Sequence, residues 1–426
     1  MAKRSIISAY SVHPDQKSSE AIVNTNWLDI YSSTTKNIYL LSSFNNYRYI
    51  SGKKQLQKKL RLITFLYKQS KGVGKFIYSF FNKIYRILSG SKYSLQIALW
   101  INKETRVLNT LLKDGDVVWS RVLPVVSLQP ILNVFKTKRF PLIINVNDPI
   151  NPSIFDKNNL NVEQLTFLET KNIAQAWTFP SSKLADRMAD NYDLDRKRCF
   201  VIPHAMHQVK DLYIRNLKKK SINILYTGTF YKSAFTEDFK NSLIAFCKLE
   251  QIVNVNFTFV LSQYDDASIS WLKTSIPNVT LKFKLDRTKV LELVNQADCM
   301  LVVDSILHTE LLKGKLIEAI AFGVPVFAVT YRNSIMDKVV VAYGGISAYQ
   351  NAKDDILDKL KLLISQISDL QWLNSFYKER ETVLNLISED YIAEATSQVS
   401  KFALDRFRAN KLQQNNVVAP NHLNWP

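Results

Sequence analysis

Acidic residues are missing from one long stretch of this chain. Between Asp29 and Glu104 there is none, while the same interval carries fourteen Lys or Arg, from Lys36 to Lys103. That interval supplies most of the formal charge of +19, and the rest of the chain is close to balanced. The charge describes one basic face, not a generally basic protein. Cysteine is scarce as well. Cys199, Cys247 and Cys299 are far apart and odd in number, which argues against a disulfide framework or a cysteine-built zinc site and fits a reducing compartment. No apolar run reaches the roughly 18 residues of a spanning helix. The opening MAKRSIISAYSVHPD lacks the apolar core, about 7–15 residues long, of a signal peptide. A cytoplasmic protein is expected, with peripheral attachment to a membrane surface as an option.

Several familiar signatures are absent too. GVGKFI (72–77) holds a Gly-x-Gly but follows no strand, so it is no dinucleotide fingerprint, and Gly314-Lys315 lacks the upstream glycine of a P-loop. Two Asp-x-Asp strings, at 114–116 and 193–195, read as turn or loop charge. His204 and His207 give little support for a metal pair. No metal site is expected.

What is present is a globular pattern. The chain has 426 residues, 46% of them apolar, enough for two or more cores. Short apolar runs alternate with longer amphipathic ones, the βαβ signature of a parallel sheet covered on both faces. Strands are expected at 5–8, 37–42, 116–120, 141–146, 174–179 and 199–202, then at 222–227, 256–262, 279–284, 299–304 and 325–330. Helices are expected at 181–191, capped by Ser181 or Ser182, and at 237–250, 266–275, 287–296, 314–322 and 352–366. Asp286 reads as an N-cap. Further helices read at 371–386 and 389–409. The segment 205–220 is polar, charged and without period, so it reads as a hinge. The expected division is a first domain over 1–205, a second over 206–370, helices over 371–411 packing back on the first, and a disordered tail over 412–426.

One stretch carries a distinctive spacing: TELLKGKLIEAIAFGVPVFAVT, 309–330. A strand ends at Asp304, a loop follows, and a helix begins near Gly314. Ligands of open α/β sheets sit at the carboxyl ends of strands. A helix start there offers free N–H groups and a positive dipole end, which suit a phosphate. Gly314 permits close approach and Lys315 adds a charge. Glu318, about a turn in, can take ribose hydroxyls, and Glu310 can reach a sugar. The alternative is plain: Glu310 as a solvated loop charge, Glu318 as a first-turn acid favoured by the dipole.

The stretch resembles the donor-binding segment of GT-B glycosyltransferases, in particular the retaining family 4, with two glutamates separated by seven residues and a helix leading into Gly-x-Pro-Val (323–326). ILYTGTFYK (224–232), 118–149 and 178–205 resemble further parts of that family, and the likeness covers most of 1–370, weakest between about 45 and 95. It implies a GT-B fold, two Rossmann-like doubly wound domains facing a cleft, with a C-terminal helix crossing back to the first. It implies that Glu318 binds the donor ribose and that Glu310 faces the donor sugar. The backbone around Gly314 and Lys315 would hold the diphosphate or sugar, with Leu316 also donor-binding and with Gly228 and Thr229 in the first loop of the second domain. Lys232 and Lys315 would be the cations for the leaving group. Asn147 and Asp148, with His13, would stand on the acceptor side, Asp148 near the reacting centre. Three positions depart from the family: Thr229 stands where arginine is common, Ser18 and Ser19 replace Gly-Gly, and Asn147 replaces a frequent histidine.

The basic interval adds a partner. Phe76, Ile77, Phe80, Phe81, Ile84, Ile87 and Leu88 recur at helical spacing, with Lys75, Lys83 and Arg86 among the other positions. This is an amphipathic helix with a cationic face. It either docks on anionic lipid or buries its apolar side as core; the aromatic weight and missing acids favour the membrane. The expected function is transfer of a sugar from a nucleotide sugar, UDP- or GDP-linked, to a hydroxyl of a glycan or lipid-linked glycan in bacterial surface polysaccharide synthesis. No separate cofactor and no metal are called for, and nucleic acid is not an expected partner. The alternatives are a related subunit that no longer catalyses and a nucleotide-sugar epimerase.

Overall fold

A computed structural model describes residues 4–10, 19–35, 37–43, 45–50, 53–59, 61–122, 124–150, 161–204, 221–230, 233–249, 255–412, 417–420 and 423–426. The chain forms two compact units, Met1–Ile202 with Ile392–Trp425, and Pro203–Tyr391.

In the first unit the strands are β1 (Ser5–Ser8), β2 (Asn37–Leu41), β3 (Asn45–Ile50), β4 (Lys53–Lys59), β5 (Val117–Arg121), β6 (Leu142–Asn145), β7 (Ala176–Phe179) and β8 (Cys199–Val201). The helices are α1 (Ser19–Thr34), α2 (Arg61–Gln69), α3 (Lys75–Ser89), α4 (Leu95–Leu111), α5 (Gln129–Phe135), α6 (Val162–Leu168) and α7 (Ser182–Tyr192). The sheet runs β4-β3-β2-β1-β5-β6-β7-β8, so chain order reverses between β1 and β5. β1, β5, β6 and β7 are buried along their whole length, as expected of parallel strands covered on both faces. Ser181 caps α7 by accepting from the Leu184 N–H.

The second unit holds β9 (Ile222–Gly228), β10 (Val255–Leu261), β11 (Val279–Phe283), β12 (Cys299–Val303), β13 (Val326–Thr330) and β14 (Ile346–Tyr349). Its helices are α8 (Glu237–Cys247), α9 (Asp266–Ser275), α10 (Arg287–Gln296), α11 (Gly314–Ala321), α12 (Ile335–Ala342), α13 (Lys353–Ile367) and α14 (Leu370–Leu386). The parallel sheet runs β11-β10-β9-β12-β13-β14, with its switch between β9 and β12. Phe235, Phe239, Phe246, Phe257 and Phe259 belong to one buried cluster of this unit. Asp286 caps α10, accepting from the Lys289 N–H.

The last helix, α15 (Glu389–Lys411), runs from the second unit into the first. There Thr396 accepts from Trp27 Nε1 (3.2 Å), and Ser400 Oγ lies 3.2 Å from Trp119 Nε1 and 3.0 Å from the Tyr31 hydroxyl. Three points differ from the sequence reading, and a fourth falls outside the described residues. α14, expected to pack back on the first domain, belongs to the second unit, where it packs on α11, α12 and α13. Leu423, expected in a disordered tail, is buried and its carbonyl accepts from Val201 N at 2.8 Å. β3, β4 and β14 are additional strands, and α1, α2, α4, α5, α6 and α12 are additional helices. The expected hinge at 205–220 lies outside the described residues.

Candidate functional site at the switch point of the second sheet

The candidate site beyond the carboxyl ends of β9 and β12 is built from three pieces: the turn after β9, the loop 304–313 after β12, and the first turn of α11. Gly228 ends β9 with φ +113°, a conformation open to glycine and costly to other residues. A Cβ on it would stand 2.5 Å from Lys315 Cε and 2.6 Å from Nζ, so the two residues touch. The lysine tip could swing aside for a larger residue; the positive φ is what favours glycine here. The Lys315 ammonium also lies 4.2 Å from the centre of the Tyr226 ring. Thr229 Oγ1 is 3.2 Å from Ser262 Oγ, and its carbonyl accepts from the Tyr226 hydroxyl.

α11 begins without a side-chain cap. Its N-cap is Lys313, which has no acceptor to offer, whereas α8, α9, α10, α12 and α14 are each capped by a Ser, Thr or Asp oxygen. A Cβ on Gly314 would meet nothing within 4 Å. Open space thus faces a helix start whose N–H groups carry the positive end of the dipole. Leu316, expected to contact a ligand, has its side chain fully buried and its N–H bonded to the Lys313 carbonyl at 3.0 Å. It anchors the helix and leaves Gly314 and Lys315 at the opening.

The electrostatics are arranged around that opening. Burial first, then the neighbouring Lys313 charge, brings the Lys315 ammonium down to about 7, against a smaller pull from Glu318. Glu318 pairs with Arg287 Nη1 at 2.6 Å. Its carboxyl is raised by burial, which Arg287 partly offsets. Arg287 opens α10 and was not singled out from the sequence; a partner 31 positions away leaves no local spacing to read. Lys313 turns inward, pairing with Asp304 Oδ1 at 2.9 Å and donating to the Val303 carbonyl at 2.9 Å. Asp304 is fully buried. Gln350 ties the loop to the sheet end, its amide donating to the carbonyls of Ala234 (2.6 Å) and Asp304 (3.3 Å). Glu310, also buried, lies on this loop four residues before Gly314.

Gly228, Thr229, Glu310, Gly314, Lys315 and Glu318 are thus gathered at one sheet switch point. Lys232 and His13 lie outside the described residues. Asn147 and Asp148 follow β6 in the first unit, at the carboxyl edge of that sheet. Asn147 is buried; its Nδ2 donates to Asn24 Oδ1 (3.1 Å) and its Oδ1 accepts from Arg121 (3.3 Å). Arg121 ends β5, bonds Asn24 and lies 4.5 Å over the Trp27 ring. This guanidinium is a second feature the sequence reading missed.

No protein-family model matches the sequence, and no curated protein is detectably similar to it. Solved structures do match in fold. Sucrose-phosphate synthase from Thermosynechococcus elongatus superposes with a TM-score of 0.66 at 11% identity, over 95% of this chain and 99% of that one. The E. coli trehalose-6-phosphate protein bound with UDP-2-fluoro glucose gives 0.61 at 11% identity, over 93% and 99%. S. aureus TarM, in complex with fondaparinux, alpha-GlcNAc-glycerol and UDP, gives 0.51 at 15% identity, with 72% of this chain covering 59% of that one. The chain has the GT-B fold.

Proposed function

We propose that the protein is a glycosyltransferase that moves a sugar from a nucleotide sugar to a hydroxyl of a glycan or lipid-linked glycan. The observation that carries this reading is the uncapped start of α11, with Lys315 folded against Gly228 and the Glu318–Arg287 pair one turn on. UDP is the favoured donor nucleotide, because structures of the same fold hold UDP or a UDP-sugar. The diphosphate lies across Gly228 and the helix start, Glu318 accepts from the ribose hydroxyls, and Glu310 faces the sugar. Lys315 and the helix dipole carry the charge of the leaving diphosphate, with Lys232 as a second cation, so no metal is required for that task. The acceptor oxygen bonds to the anomeric carbon as the bond to the diphosphate oxygen breaks, and the departing phosphate takes the acceptor proton on the same face, giving retention. Asp148 and Asn147 serve the acceptor side. Synthesis of a bacterial surface polysaccharide is the pathway this reading supports.

The test is a melting series with UDP, GDP, ADP and CMP. A ligand of the native state alone must raise stability. UDP is expected to raise Tm, and Glu318→Ala to abolish the rise. Loss of the charge-assisted contact should weaken UDP by about ten- to a hundredfold. No shift with any nucleotide would overturn the assignment. Thr229, neutral and bonded to Ser262 where the family commonly has arginine, favours one second reading: a partner subunit that binds donor without turnover. UDP binding without release of UDP from any UDP-sugar in the presence of acceptor would select it.

A further inference from the structure

Among the described residues, the longest run of exposed large apolar side chains lies on α3. None of its side chains is buried, and Phe76, Phe80, Ile87 and Leu88 expose 82%, 63%, 70% and 82% of their area. These residues share one arc of the helix with Ile77, Phe81 and Ile84. The core alternative left open by the sequence is therefore excluded for this helix. A different stripe, Tyr78, Asn82 and Tyr85, is half-buried and meets the body of the unit. Asn82 Oδ1 accepts there from the Leu95 N–H at 2.8 Å. Lys75, Lys83 and Arg86 fill the remaining arc, beside the apolar one. On α2, Leu62 and Phe65 are 51% and 55% exposed.

The occupant must be apolar and negatively charged at once. A second copy of the same face would set two basic intervals with no acid against each other. Nucleic acid would leave the apolar arc uncovered. An anionic bilayer supplies hydrocarbon under the arc and phosphates beside the lysines. The place of attachment is informative. Ile63 of α2 packs in one buried cluster with Trp100, Ile101 and Val126, against which Tyr10 packs. Tyr10 follows β1, and Val126 lies five residues past the end of β5, so this cluster sits at the switch point of the first sheet. Burial, with the nearby Tyr78 and Tyr67 hydroxyls, pushes the Tyr10 phenol up to about 12.

We propose that α2 and α3 lie in the plane of an anionic membrane surface and hold the β1–β5 switch-point loops over an acceptor carried by a lipid. The acceptor half of this inference rests on the glycosyltransferase reading; the docking half does not.

Sedimentation of the full chain with vesicles tests it. Binding is expected to phosphatidylcholine mixed with phosphatidylglycerol, not to phosphatidylcholine alone. It should weaken in about 1 M salt, where the Debye length is about 3 Å. Lys83→Glu with Arg86→Glu should weaken it by at least about tenfold. Phe80→Ser with Ile87→Ser, at sites already facing solvent, should abolish it while leaving the UDP-dependent rise in Tm intact. No binding to the mixed vesicles would overturn the proposal. So would binding that these variants leave unchanged, or an apolar variant that turns a dimer into a monomer without loss of vesicle binding. Vesicle binding by a protein with no UDP shift would uphold docking and sink the donor reading instead.

Discussion

Lys315 places the strongest constraint on any ligand. Its ammonium, lowered from 10.5 to about 7 in the free protein, must be charged to serve a diphosphate. On the proposed function, UDP binding should therefore take up a proton above that pH, and affinity should fall as pH rises. Between about pH 6.5 and 8.5 the Kd should weaken roughly tenfold or more, and Lys315→Met should flatten the dependence. Titration calorimetry in buffers of different ionisation heat reads both the Kd and the proton. The free protein should respond in the opposite sense. From 7 to 10.5 the unfolded state holds the extra proton, so Tm without ligand should rise with pH on account of this group. The placing of Gly228, Lys315 and Glu318 at one sheet switch point was legible because a strand end and a helix start are local patterns. Arg287 and the Asp304–Lys313 pair were not, since long-range pairings of ordinary charged residues leave no local trace. Leu316 differs from its neighbours Gly314 and Lys315 in that packing claims its side chain.

At the scale of the element, α11 is open at one end and closed at the other. Gly323, at φ +63°, and Val324 return their N–H groups to the carbonyls of Ile320 and Ala319. Arg380 of α14, itself buried, donates to the carbonyls of Ile320 (3.0 Å) and Ala321 (3.1 Å). The Tyr343 hydroxyl lies 3.1 and 3.0 Å from those of Ala319 and Val324. A cation at a helix C-terminus is favourable, and its loss would strand buried carbonyls. Arg380→Ala should cost about 2–4 kcal/mol, read as a lower urea midpoint for the second unit. The interior strands were legible because buried parallel strands are unbroken apolar runs. β3 and β4 were not: they are an antiparallel hairpin at the sheet edge, and KKQLQKK carries no alternation to read. Lysines along an edge suit a strand that must not pair further. α12 escaped because its Val-Val-Val run carries strand propensity; burial and the Ser334 cap decide for helix.

At the scale of the molecule, the two units differ in how the chain builds them. The second is continuous, Pro203–Tyr391, and contains the whole candidate donor site. Expressed alone, it should melt cooperatively and keep its UDP shift. The first is discontinuous: Val399, Phe402, Ala403 and Leu404 of α15 are buried in it, and the side chains of Trp27, Tyr31 and Trp119 all bond to α15. Residues 1–202 alone should stay insoluble or molten, without a cooperative transition in near-ultraviolet ellipticity, and recover when 392–425 is supplied in trans. This return of the chain was anticipated; the point at which it turns was not, because α14 and α15 read alike as amphipathic helices and only packing assigns them to different units. During synthesis the return has a further effect. The portion made first must wait, its tryptophan ledge uncovered, until the last helix leaves the ribosome, while the portion made second can finish folding beforehand. Birth order and folding order then run in opposite directions, and a chaperone that shields the early half through translation would be a condition of yield.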